Sequence, residues 1–151
     1  MFKKLVVSLA IAMTAQLPST AAAEEIIVKM LNRGSDGALM VFEPAFIRAE
    51  VGDVVKFVPT NPSHNAESIK GMLPEGAASF KGRINKEVAY EITTEGVYGV
   101  KCLPHYGMGM VALIVAGEQT NLEEAKAVRH VGKAKPNFVK LFEQAAAPAT
   151  E

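Results

Sequence analysis

From Glu25 to Ala116 the chain is a succession of short apolar runs, each closed by a turn signal. Ile26–Leu31 gives way to the turn cluster Asn32-Arg33-Gly34-Ser35-Asp36-Gly37. Across Asp53–Val58, Val54, Lys56 and Val58 alternate with Val55 and Phe57, the period of a half-buried strand. Met40–Phe42 and Phe46–Arg48 flank Pro44 and read as one strand with an edge break. Val88–Ile92 and Val97–Lys101 are strands joined by Thr93-Thr94-Glu95-Gly96, and Val111–Val115 is the unbroken apolar run of a central strand. Six or more short strands at this spacing imply a β-sandwich or barrel.

After Gly117 the period becomes helical. Thr120-x-x-Glu123 has the form of a capping box and predicts a short helix to about Val128. Pro136 suits the first residue of a second helix to about Ala146, in which Phe138, Leu141, Phe142 and Ala145 form one apolar stripe to pack on the sandwich. The tail Ala147–Glu151 is expected to fray. At the other end, Met1-Phe2-Lys3-Lys4, the apolar run Leu5–Ala15 and Ala21-Ala22-Ala23 have the form of a signal peptide. The apolar run is too short to span a bilayer. The expected organisation is a signal peptide over residues 1–23 and one domain over 24–151, with residues 120–147 as a helical extension.

Composition removes whole classes of function. Lys and Arg number 16, as do Asp and Glu, so the precursor is formally neutral. Cleavage after Ala23 would leave 128 residues at a formal charge of −2, because Lys3 and Lys4 go with the leader. Neither balance suits a general nucleic-acid binder. A single Cys excludes an internal disulfide and any thiolate-only zinc or iron–sulfur site, and three His are too few for a multicopper oxidase.

The chemistry concentrates in Lys101-Cys102-Leu103-Pro104-His105-Tyr106-Gly107-Met108-Gly109-Met110. This loop between two strands can bring a thiolate, an imidazole and a thioether into one small volume. Pro104, Gly107 and Gly109 give it rigid and permissive backbone positions. His64, after the Asp53–Val58 strand, offers a fourth donor. Two imidazoles and a thiolate with a weak thioether suit one copper ion alternating between Cu(I) and Cu(II). Zinc would gain little from the thioether and, if catalytic, would need an open position. Met108 competes with Met110 for the thioether role; Met110 is preferred because it begins the next strand. His130, between the two helices in a charged context, reads as a solvated side chain.

On these residues the sequence resembles the blue copper proteins of the cupredoxin family, and within it the pseudoazurins. The likeness runs through Gly37–Phe46, Ser63–Lys70, Leu73–Gly76 and Tyr98–Cys102, and the two C-terminal helices favour that group over plastocyanin. The resemblance implies an all-β, eight-stranded Greek-key sandwich followed by two α-helices. It implies copper ligands His64, Cys102, His105 and Met110, and no enzymatic activity. It implies a periplasmic, monomeric one-electron carrier serving a copper nitrite reductase and exchanging with c-type cytochromes, with no membrane association once the leader is gone. Copper delivery in the periplasm is the alternative.

By the same resemblance Met40 packs on His105, Pro104 lies beside it, and Asn65 buttresses the Cys loop. The family usually has Thr where this chain has Leu103, which predicts a looser buttress. Pro104, Gly107, Met40 and Pro59 are expected to form an apolar collar around the exposed edge of His105. Lys101, Lys81, Lys70 and Arg83 are expected to ring that collar and to meet an acidic partner.

Overall fold

The computed structural model describes residues 22–148. The expected signal segment therefore lies outside the described residues except for Ala22 and Ala23, as do residues 149–151 of the tail. Among these residues eight strands precede two helices: β1 (Glu25–Arg33), β2 (Leu39–Glu43), β3 (Phe46–Ala49), β4 (Val54–Pro59), β5 (Glu67–Ser68), β6 (Val88–Glu91), β7 (Gly96–Lys101), β8 (Val111–Ala116), α1 (Leu122–Ala127) and α2 (Ala134–Ala146). They form two four-stranded sheets in the orders β2-β1-β4-β6 and β3-β8-β7-β5. β1 runs parallel to β4 and β3 parallel to β8; the remaining pairs are antiparallel.

The single broken strand expected around Pro44 is instead two strands in different sheets. β2 pairs with β1, and β3 pairs with β8 after the chain crosses between sheets at Glu43-Pro44. Short alternating runs have the same pattern in either sheet, so only the pairing partner distinguishes one bent strand from a sheet switch.

Alternation builds the core. Val28, Met30, Phe42, Val55 and Phe57 from the first sheet meet Tyr98, Val100, Ala112 and Ile114 from the second, all buried. Phe42 and Phe57 pack edge-to-face with centroids 5.4 Å apart, a favoured aromatic geometry. The outer face of the second sheet carries a second cluster, in which Val111, Leu113 and Val115 of β8 meet Phe138, Leu141 and Ala145 of α2. Both faces of β8 are covered, which is why its sequence is apolar without alternation.

The helices differ in detail from expectation. α2 begins at Ala134, with Pro136 inside its first turn, where its missing N–H has no helical partner to lose. The Thr120–Glu123 capping box does not form: the Thr120 hydroxyl donates to the Glu95 carbonyl at 3.1 Å, and Glu123 pairs with Lys126. Among the described residues no helix is long and apolar enough to cross a membrane.

Candidate metal centre

One end of the sandwich collects the expected donors. Cys102 follows β7, His105 opens a single 3-10 turn at Tyr106–Met108, and Met110 leads into β8. The loop is closed by its own backbone: Cys102 N–H donates to the Met110 carbonyl at 3.0 Å, and Met110 N–H to the His105 carbonyl at 3.2 Å. His64 arrives from the β4–β5 connection. His64, Cys102 and Met110 are all fully buried, whereas His105 is partly exposed.

The imidazole Nδ1 atoms of His64 and His105 lie 3.1 Å apart, with the Cys102 Sγ at 3.8 and 3.5 Å from them. The His64 Nε2–H donates to Asn32 Oδ1 at 2.8 Å, which leaves the Nδ1 lone pair of His64 facing the thiol. Such converging lone pairs repel one another until a cation lies between them. The three ligand atoms fall within 4.8 Å of one another, and they are the group among the described residues able to hold a metal through His, Cys, Asp or Glu. Two imidazoles, a thiol and a buried thioether nearby fit copper by donor softness. Burial, and then the charge on His105, holds the His64 pKa below its ordinary value. Burial pushes the Cys102 thiol up, against hydrogen bonds that favour the thiolate. A bound cation reverses that preference by displacing the thiol proton.

Residues 28–117, which include the whole constellation, match the family of copper-binding proteins described as plastocyanin/azurin. A pseudoazurin of Methylorubrum extorquens is 50% identical over 138 residues, 91% of each chain. The chain belongs to this family, in its pseudoazurin branch. A pseudoazurin of Paracoccus pantotrophus is 55% identical over 78% of this chain and 80% of its own. The solved structure of a Sinorhizobium pseudoazurin superposes with a TM-score of 0.80 at 46% identity, covering 82% of this chain and 98% of that one. The cupredoxin is thus a blue copper electron carrier and not an enzyme, and its cofactor is copper.

Around the donors, Asn65 does more than its expected role required. It is 2% exposed, and its Oδ1 accepts the Leu103 backbone N–H at 2.7 Å. Its Nδ2 donates to Glu67 Oε2 at 3.2 Å and to the Gly82 carbonyl at 3.1 Å. Asn65 holds Leu103 through its main-chain N–H, a contact that needs no hydroxyl. Leu103 instead turns its side chain outward, 49% exposed. Met40 is half-buried against the cluster that contains Cys102 and Met110.

Of the competing thioethers, Met110 is fully buried and Met108 is 46% exposed. Pro104 and Gly107 are exposed as the collar required, while Met40 and Pro59 are only half so. Leu103 and Met108 contribute the larger apolar surface. Gly107 has no positive φ and open space where a Cβ would stand, so its value to the loop is not conformational freedom.

Lys70, Lys81 and Arg83 are exposed. Lys101 is not a free charge: its Nζ lies 3.4 Å from the buried Glu67 carboxylate and 5.1 Å over the Tyr106 ring. Lys81 and Lys101 are the cross-strand neighbours of Glu67 on either side.

Three residues of consequence escaped the sequence reading: Asn32, placed in a turn; Glu67, an unremarked acid; and His130. The solvated histidine expected at 130 is instead partly buried, stacked on Phe138 with centroids 4.1 Å apart and hydrogen-bonded through Nδ1 to the Tyr106 hydroxyl at 2.6 Å. Nothing in the local sequence marks that contact, which spans 24 residues.

Proposed function

We propose that His64, Cys102, His105 and Met110 hold the copper of a periplasmic carrier that passes single electrons to a copper nitrite reductase and exchanges them with c-type cytochromes. The observation that carries the reading is the convergence of both imidazole Nδ1 atoms and the thiol sulfur within 4.8 Å. The buried Met110 beside them is the proposed thioether donor. Copper held there supplies the interconversion of Cu(I) and Cu(II), with no bond made or broken.

The chain's part is to keep the donors where they are. Asn32 fixes the His64 tautomer, Asn65 ties Leu103 to the opposite loop, and the sandwich excludes water from three of the four donors. His105 alone reaches the surface, so its ring edge is the proposed path for the electron. Leu103, Pro104 and Met108 give that edge an apolar surround for close approach, while Lys70, Lys81 and Arg83 steer an acidic partner more than they hold it. The burial of the donors favours a carrier over copper delivery, which needs ligands a recipient can reach. The basic segment and apolar run of residues 1–23 support export, and the domain proposed over 24–151 is a monomer.

The test is a titration of reduced protein against a copper nitrite reductase, following the visible copper absorbance at several ionic strengths. The reading expects rapid bleaching and recovery, slowed as salt rises. A protein that binds copper but stays colourless, or that transfers electrons at a salt-independent rate, would refute it.

A further inference from the structure

The C-terminal extension touches the donor loop from outside, and its contacts are not those of a helix merely packed on a sheet. Lys133 N–H donates to the Gly107 carbonyl at 3.0 Å. Asn137 Nδ2 donates to the Gly109 carbonyl at 2.8 Å. His130 Nδ1 meets the Tyr106 hydroxyl at 2.6 Å. The loop carbonyls of Gly107 and Gly109 thus receive their donors from the extension, within the five residues that follow His105.

The approach is as close as the backbone permits. Gly109 has φ 95°, and a Cβ there would fall 2.5 Å from Asn137 Nδ2. Gly132 has φ 52°, and its Cβ would fall 2.3 Å from the Gly107 carbonyl oxygen. A side chain at Gly132 would force the loop backbone and the extension apart, and one at Gly109 would displace the Asn137 amide from its hydrogen bond. His130 is wedged between the Tyr106 ring, edge-on at 6.2 Å, and the Phe138 ring. Its Nε2 is buried with no hydrogen-bond partner among the described residues. Leaving a buried ring nitrogen unpaired is unfavourable, so the placement is imposed by the contacts on the other side of the ring. The platform behind these contacts is stiff, because Phe138, Leu141 and Ala145 anchor α2 in the second core cluster.

We propose that the extension is the outer brace of the copper centre, in which His130 and Asn137 are positioning residues that hold the 105–110 turn in one arrangement. His105 and Met110 stand at the two ends of that turn. Fixing it limits how far their donors move when the copper changes charge, and small donor movement is what makes electron exchange fast. This rests on the proposed ligand set.

The experiment uses His130→Phe, which keeps the stack on Phe138, together with Asn137→Ala and Tyr106→Phe. In copper-free protein, amide hydrogen exchange at Met108, Gly109 and Met110 should rise about five-fold in each, the effect of one lost hydrogen bond. The far-UV spectrum should remain that of the parent. In copper-loaded protein the ratio of the visible thiolate bands should change and electron self-exchange should slow about two- to five-fold. His130→Phe and Tyr106→Phe together should do no more than either alone. Unchanged exchange or an unchanged visible spectrum in both His130→Phe and Asn137→Ala overturns the brace, as does additivity of the His130 and Tyr106 effects. The ligand set fails separately, if His105→Ala and Met110→Ala leave the visible spectrum of the otherwise unaltered protein as it was.

Discussion

Replacing Asn65 by Ala should be among the most damaging single polar substitutions at the copper end. The side chain makes three hydrogen bonds from a site that is 2% exposed. Its loss strands the Leu103 N–H and the Gly82 carbonyl, each worth about 1 kcal/mol, and removes a donor from the Glu67 carboxylate, worth about 1.5–3 kcal/mol. Glu67 keeps Lys101, so the lower half of that range applies. The sum is about 4 kcal/mol, a large share of the ~5–15 kcal/mol by which domains of this size are stable. It corresponds to a fall in melting temperature of roughly 10–20 °C. Urea and thermal unfolding should be followed on copper-free protein, because bound metal would add its own stabilisation to both forms. Leu103→Thr is the control: only the main chain of Leu103 meets Asn65, so that change should stay within about 0.5 kcal/mol. A loss below about 1 kcal/mol for Asn65→Ala, or equal losses in the two variants, would show that Asn65 is not the tie between the loops.

Met110→Ala should abolish or strongly shift the visible copper band while Met108→Ala leaves it nearly unchanged, and a larger effect from Met108 would reverse the assignment. Phe138→Ala should cost about 3–5 kcal/mol by opening a cavity between α2 and β8, measured by urea unfolding; a cost under about 1 kcal/mol would mean α2 does not share the core. Burial holds the His130 imidazole below its ordinary value of 6.5, so the folded chain binds fewer protons there than the unfolded one. Its contribution to stability is therefore whole above pH 6.5 and is lost as pH falls through the folded value, so the stability difference between the parent and His130→Phe should shrink from pH 7.5 to 5.5. Lys81→Ala should slow association with an acidic partner about two-fold at low salt without changing stability, whereas Lys101→Ala should also destabilise by about 1 kcal/mol, because it leaves Glu67 without its ion pair; equal stabilities would make Lys101 an ordinary surface charge.

The sequence disclosed what lies close along the chain. Cys102, His105 and Met110 share one loop, so their spacing alone brings them together, and the apolar run of β8 announced a strand covered on both faces. What it did not disclose acts across long separations. Asn32 meets His64 over 32 residues, and His130 meets Tyr106 over 24. Neither residue differs in type or spacing from the turn and solvent positions they resemble. The Thr120 capping box failed for a related reason: a hydroxyl that fits a cap locally found a carbonyl at Glu95 that only the folded chain presents.

The misses at Asn32 and His130 share a direction. Each concerns a group that holds a donor or its loop in place, and neither concerns a donor itself. Ligands must be of particular types, because soft sulfur and imidazole nitrogen cannot be exchanged for other side chains without changing the metal's chemistry. A supporting group need only present a hydrogen-bond donor or acceptor at the right point, which main chain, amide, carboxylate or imidazole can all do. Asn65 makes the point within one residue, since it grips the backbone N–H of Leu103, a group every residue type except Pro presents. The donors are therefore legible by type, while their support is legible only from the positions the fold assigns.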